Sequence, residues 1–105
     1  MKYHIKKAIE SNPSDFSDIL GKTVLVGLTY LSPEDKVIER KQFWGTVIES
    51  NERAIRIRQK NNDILTLPPD LSSTKAAPRG EYRLRTTGER IVDPDYLITW
   101  YIHSP

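Results

Sequence analysis

The sequence predicts a single mainly β domain, a small antiparallel β-barrel preceded by a short helical N-terminal segment. From Lys22 onward, apolar and polar residues alternate with a period of two, as in strands with one buried face. Five or more such runs follow one another through short connections rich in Gly, Pro, Asn and Asp. The 105 residues suffice for one domain with one modest core. We therefore assign residues 1–21 to the helical segment and 22–105 to the barrel.

The N-terminal segment has a helical spacing of apolar residues. Ile5, Ala8 and Ile9 fall at i, i+3 and i+4, which predicts a short amphipathic helix. The following stretch SDFSDILGK predicts a second short helix, with Ser14 as N-cap and Gly21 as its C-terminal stop. The side chains that we expect this second helix to bury are Phe16, Ile19 and Leu20.

The first hairpin is expected to carry an exposed charged arm. The turn SPEDK separates TVLVGLTYL from a long run, and the first half of that run, VIERKQ, is polar on both faces. Gly45 lies in the middle of the same run. A glycine there predicts a bulge or a sharp bend.

Parity predicts the register of the next hairpin, because a slip of one residue turns every side chain to the other face. A three-residue loop at 50–52 places Val47 opposite Ile55. The same register places Trp44 opposite Arg58, a favourable cation–π geometry.

The hairpin after AIRIRQ is predicted to have a loop of odd length. A two-residue turn would set Arg56 and Arg58 beside leucines. A three-residue loop at 61–63 instead sets Ile57 opposite Leu67, and Asn and Asp tolerate the left-handed conformation that it needs.

The C-terminal third predicts a hairpin from EYRLRT and RIV, followed by the closing strand YLITWYIH. A three-residue turn would place Arg83 opposite Asp93 as a cross-strand ion pair. From the alternation we predict one core formed by Val24, Val26, Leu28, Phe43, Val47, Ile55, Ile57, Leu67, Tyr82, Leu84 and Trp100.

Between Asp15 and Arg85 this layout resembles the SH3-like small barrels, and within them the Sm-like arrangement. The resemblance lies in a helix before GKTVLVGL, a long second strand with FWGTVIES, and AIRIRQ after a tight turn. Sm-like proteins bind RNA through a loop with Asp and Asn and through an Arg-Gly pair. Asn51 and Arg79–Gly80 occupy the corresponding places. The resemblance therefore implies a small barrel with RNA contacts at these residues, although the Asp-x-x-apolar-Asn pattern is absent.

Several classes of function lack a signature in this sequence. The chain has no cysteine, which excludes disulfides, thiolate metal sites and Cys nucleophiles. No nucleophile elbow or phosphate-binding Gly-rich loop is present, and two histidines without clustered carboxylates do not make a metal site. No apolar run reaches the roughly 18 residues of a membrane span, and no signal peptide is recognisable. We therefore expect a cytoplasmic, non-enzymatic protein without cofactor or metal.

The positive charge lies in one segment. Residues 51–90 hold nine Lys or Arg against five Asp or Glu, although the net charge of the chain is only +2. The predicted registers define a candidate basic-aromatic ligand face made of Trp44, Arg56, Arg58, Lys60, Arg79, Arg83 and Arg85.

This face permits three interpretations. The leading one is an interaction module that binds another protein through the charged arm and the basic-aromatic face. The alternative is binding of single-stranded RNA or DNA, which aromatic stacking between basic residues favours. In the third, the arginines are only solvated strand surface, and the N-terminal helix covers Trp44 and Ile48.

Overall fold

The computed structural model describes residues 12–85 and 87–103, and this part of the chain is mainly β. None of its helices is long or apolar enough to span a membrane. Two 3₁₀ helices are present in these ranges, Phe16–Ile19 and Leu71–Ser73. The strands in chain order are β1 (Thr23–Leu31), β2 (Val37–Ser50), β3 (Ile55–Gln59), β4 (Ile64–Leu67), β5 (Thr74–Ala76), β6 (Glu81–Arg83), β7 (Arg90–Val92) and β8 (Tyr96–His103).

The strands form an open sheet and a separate hairpin. The sheet has the order β4-β3-β2-β1-β8-β5, and β6 pairs with β7. β8 runs parallel to β1, from Tyr96 beside Val24 to His103 beside Leu31. The described strands therefore do not close into the predicted antiparallel barrel, because β8 occupies the edge of β1 and leaves β4 and β5 as the two ends of the sheet.

Asp95 sets the parallel pairing. Its carboxylate accepts a hydrogen bond from the Thr23 N–H at 3.0 Å, and its own N–H donates to the Thr23 carbonyl at 2.8 Å. Its carbonyl accepts from the Ala77 N–H at 3.1 Å. One residue thus ties the start of β8 to the start of β1 and to the end of β5.

The segment before β1 differs from the prediction. The Ile5–Ile9 helix lies outside the described residues. The second predicted helix is a single 3₁₀ turn, and its N-cap is Asp15 rather than Ser14. The reason is a reciprocal capping box: the Asp15 carboxylate accepts from the Asp18 N–H, and the Asp18 carboxylate accepts from the Asp15 N–H at 3.1 Å. The backbone N–H groups of Ser14 and Asp15 hold the pKa of Asp18 below its usual value.

The same turn buries less than expected. Ile19 is fully buried and Phe16 is half-buried, but Leu20 is exposed. Gly21 follows with φ of 78°, which confirms the predicted glycine stop.

Two hydrophobic clusters replace the predicted single core, because β1 is buried on both faces. The first cluster includes Val24, Val26, Val47 and Ile57, with Phe43 and Trp100 packed at its margin. On the other face Leu25 packs with the β6–β7 hairpin. The residues of this second cluster are Leu25, Leu84 and Ile91, flanked by Trp44, Tyr82 and Leu97. Leu84 is buried as predicted and Tyr82 is half-buried. Both belong to the second cluster, whereas the prediction placed them in one common core.

The β2–β3 register is shifted by two residues from the prediction. Val47 lies opposite Ile57 rather than Ile55, and Thr46 rather than Trp44 lies opposite Arg58. A bulge at Ile48 and a loop of four residues at 51–54 account for the shift. The Asn51 side chain builds this loop by accepting from the N–H groups of residues 53 and 54.

The β3–β4 hairpin keeps the predicted parity, but its loop lies one residue earlier than predicted. A backbone hydrogen bond of 2.9 Å from the Gln59 N–H to the Asp63 carbonyl closes a three-residue loop at 60–62, so Ile57 faces Leu65 instead of Leu67. Asn62 has φ of 72°, as expected for Asn in such a loop. Ile57 is inside and Arg58 outside, as the odd loop length predicted.

The predicted Arg83–Asp93 ion pair is wrong. Arg83 lies opposite Arg90, and Arg90 pairs with Glu81 at 3.2 Å. Asp93 instead closes the hairpin on Gly80: its carboxylate accepts from the Gly80 N–H at 2.8 Å, and its own N–H donates to the Gly80 carbonyl at 2.9 Å.

Replacing Ile57 by Ala should lower the free energy of unfolding by about 2–5 kcal/mol, because this fully buried side chain would leave a cavity in the first cluster. Ile64→Ala in β4 is the matched control. Its side chain is 38% exposed, so we expect a loss of about 1 kcal/mol or less. Urea denaturation measures both variants. A loss below about 0.5 kcal/mol for Ile57→Ala would contradict the burial of this face.

Candidate binding groove

The charged arm is the outer half of β2, and it is exposed as predicted from Val37 to Lys41. β1 pairs with this half along its length. β3 does not, because its last pair joins Gln59 to Gly45. Residues 38–44 therefore have β1 on one edge and no strand of the described chain on the other.

A groove of about 650 Å³ lies beside this part of β2. The arm forms one wall, and the turns that follow β3 and β6 supply the rest. The residues around it are Glu39, Arg40, Lys41, Gln42, Phe43, Trp44, Gln59, Lys60, Asn61, Leu84, Thr87 and Glu89. The groove thus combines apolar side chains with several amides and with charges of both signs.

Trp44 is held at the groove by the β6–β7 hairpin. It lies opposite Leu25 and packs against the cluster that contains Leu84, so it is half-buried. The Gln42 side-chain carbonyl accepts a hydrogen bond of 2.7 Å from the Arg85 N–H, which fixes the hairpin turn over the arm. Within the described residues, Leu84 and its neighbours cover Trp44. The predicted Ile5–Ile9 helix lies outside these residues, so its cover of Trp44 stays a prediction.

Two of the candidate cations are neutralised by carboxylates. Arg56 pairs with Glu49 at 3.4 Å, on the part of β3 that pairs with the end of β2. Lys60 lines the groove and lies 3.7 Å from Glu89. Both pairs are solvent-exposed to a large extent, so each contributes little stability.

The remaining candidate arginines are exposed and spread over different elements. Arg58 lies between Thr46 and Ile64, and Arg83 lies on β6. Arg79 precedes β6. Of the seven candidates only Trp44 and Lys60 line the groove, so the structure does not bring the predicted face together as one row. Asn51 and Gly80, the residues that the Sm-like resemblance implied, do not line it either.

Two cations of the arm were missed. The arm that carries Arg40 and Lys41 was predicted as a contact surface, but neither residue was named as a site residue. A smaller cavity of about 160 Å³ brings Arg40 and Lys41 together with Gln42 and Arg85. The Lys41 ammonium also lies 5.6 Å from the centroid of the Tyr30 ring. Two adjacent cations on a strand do not by themselves indicate a binding site. They do so here because the β6–β7 hairpin packs over the arm, and no local sequence pattern predicts that packing.

The described residues contain no group of three or more His, Cys, Asp or Glu side chains that could hold a metal ion. Asp93 and Asp95 bind backbone groups at separate places rather than facing each other. The His103 ring nitrogen Nε2 lies 2.7 Å from the Asp35 carboxylate, which joins the end of β8 to the β1–β2 turn.

Gly45→Ala should lower the free energy of unfolding by about 1–3 kcal/mol, because a Cβ there would lie 2.2 Å from the Arg58 carbonyl oxygen. Gly45 therefore allows the backbones of β2 and β3 to approach closely. The register of β1 and β2 is unbroken at Gly45, so the predicted bulge is not there. Gly27→Ala is the control, since its Cβ would meet nothing within 4 Å. Urea denaturation giving equal values for the two variants would contradict this packing.

Comparisons with known proteins add no assignment: no protein family model, no curated protein and no solved structure matches this chain. The resemblance to SH3-like barrels therefore depends on the strand pattern alone.

Proposed function

We propose that the protein is a non-enzymatic interaction domain that binds a segment of another protein in the groove beside Trp44. The observation that carries this proposal is the groove itself. Its volume of about 650 Å³ falls in the range of pockets that bury small ligands or a few side chains. It is lined by an anchored aromatic ring and by polar groups at its margin, which is the usual anatomy of a protein-binding site.

The polar groups of the groove suit a peptide. Gln42, Gln59 and Asn61 offer amide donors and acceptors, and Glu39 and Glu89 stand beside Lys60. Such a mixture can pair with main-chain groups and with side chains of either charge. A polyanion would instead meet two carboxylates in the same groove.

The alternative is single-stranded nucleic acid. Arg58, Arg83 and Arg85 support it, since each is exposed and forms no ion pair within the described residues. The separation of these arginines on different elements and the two carboxylates that line the groove, Glu39 and Glu89, favour the protein partner.

Two further expectations belong to this proposal. The 3₁₀ turn before β1, the 14-residue β2 and the tight turn before β3 support kinship with SH3-like barrels. The open order of the sheet does not. A cytoplasmic location stays a prediction from the sequence.

Random dodecapeptides displayed on phage and selected on the purified protein should yield peptides that bind the groove. Titrated into ¹⁵N-labelled protein, a selected peptide should shift the backbone amide resonances of Gln42, Trp44, Asn61 and Thr87. Residues 50–53 are the control, because they line a different hollow with Asp15 and Phe16. Shifts confined to that hollow would overturn the assignment of the groove.

Mixed-sequence single-stranded DNA and RNA complete the same experiment. We expect neither to bind at low salt. Binding that weakens steeply with added salt and shifts the Arg58 and Arg83 resonances would support the nucleic-acid alternative and contradict the protein partner.

A further inference from the structure

The edge of β2 along the groove has backbone groups that no described strand pairs. The hydrogen bonds of Val47 show to which edge of β2 its backbone groups point. The Val47 N–H donates to the Lys22 carbonyl at 2.9 Å, and the Val47 carbonyl accepts from the Gly21 N–H at 2.8 Å. Val47 therefore directs both groups toward the β1 side. Backbone groups alternate between the two edges along a strand, and the β1–β2 register is unbroken from Thr46 to Glu39.

By this alternation, the backbone N–H and carbonyl groups of the even-numbered residues of β2 point to the opposite edge. These groups face the side that β3 occupies only as far as Gly45. The residues whose groups lie beyond that point are Arg40, Gln42 and Trp44. The alternation ends at Glu39, because the register shifts at Ile38. The groove lies along the same stretch, 39–44, and the turn at 59–61 lies at its end. An extended chain in the groove would therefore continue the sheet where β3 stops.

The two faces of such an added strand would meet different chemistry. On the Trp44 face lie Arg40 and, from the hairpin turn, Arg85. Neither arginine forms an ion pair within the described residues. Of the two carboxylates that line the groove, Glu89 is paired with Lys60, and Glu39 lies on the opposite face of β2. Neither therefore adds an unpaired negative charge to the face that holds Arg40.

On the face opposite Trp44 lie Phe43 and Tyr30, both half-buried at the margin of the first cluster, and the charges of Lys41 and Glu39, which share this face and oppose each other in sign. Successive side chains of a strand point to opposite faces, so acidic residues would face the two arginines on the Trp44 face and apolar residues would face Phe43 and Tyr30.

We infer that the partner binds by strand addition: an extended segment that alternates acidic with apolar residues pairs with the free edge of β2 at residues 40–44. This rests on the proposed function and specifies its mode and its partner class. Main-chain hydrogen bonds supply affinity in this mode, and the side-chain alternation supplies selectivity.

A second copy of this chain does not suit the same edge. Antiparallel pairing of two copies centred on the two cations of the arm would place either the two Arg40 side chains or the two Lys41 side chains directly opposite each other, depending on the register. Charges on an edge strand are a common means of preventing such self-pairing. An acidic segment would instead be attracted by the same positive charges.

The test uses a fluorescein-labelled heptapeptide in which glutamate and valine alternate. The control peptide has the same composition, but all its glutamates precede all its valines. Fluorescence anisotropy with the full chain should show binding of the alternating peptide only. Two further peptides carry N-methyl groups on one or the other set of alternate amides. One set should lose about tenfold or more in affinity and the other should not, because only one set donates to β2.

Variants of the protein test the same edge. Arg40→Pro removes an outward N–H from an edge where proline is tolerated, while the odd-numbered residues keep their bonds to β1. It should weaken the alternating peptide about tenfold or more beyond Arg40→Ala, which removes only the cation. The methylated peptides decide the question if Arg40→Pro does not fold.

Each outcome separates this inference from the proposed function. If the alternating peptide binds but neither methylation nor Arg40→Pro matters, strand addition is wrong and the proposed function stands. If only phage-selected peptides without this alternation bind the groove, the acidic-apolar class is wrong. If no peptide binds, the proposed function itself fails. A dimer that Arg40→Pro dissociates would assign the edge to a second copy and overturn the inference.

Discussion

The position of β8 beside β1, set by the hydrogen bonds of Asp95 to Thr23, is the constraint on which the rest of the structure depends. With β8 on one edge and β2 on the other, β1 lies inside the sheet and presents apolar side chains to both faces. One face packs into the main cluster. The other needs a cover, and the β6–β7 hairpin supplies it through Leu84 and Ile91. The hairpin turn then reaches the arm, where Gln42 accepts the Arg85 N–H.

The groove is a consequence of this arrangement and of unequal strand lengths. β2 has 14 residues and β3 has five, so β3 covers only the inner part of its neighbour. The hairpin over the second face and the turn after β3 close the space on two sides, and the edge of β2 remains on the third. Trp44 belongs both to the second cluster and to the groove, so the same packing that stabilises the hairpin also orients the aromatic ring at the site.

Sequence reasoning succeeded where the determining interactions are local. Strand alternation predicted that Ile57 is buried and Arg58 exposed, because parity depends only on whether a loop is odd or even. It failed on the register, since the bulge at Ile48 and the turn built by Asn51 leave no mark on the period of two. The parallel pairing of β8 has no local pattern at all. For the same reason Trp44 and Lys60 were identified at the site while Arg40 and Lys41 were not: their role depends on a hairpin distant in sequence.

The direction of β8 is tested most directly by cross-strand nuclear Overhauser effects between β1 and β8 in the labelled protein. The account predicts contacts that run in the same order along both strands, from Val24 with Tyr96 to Leu31 with His103. Contacts in the reverse order, with Val24 close to His103, would show an antiparallel closing strand. They would contradict the open sheet, the cover over Leu25 and the groove that depends on it.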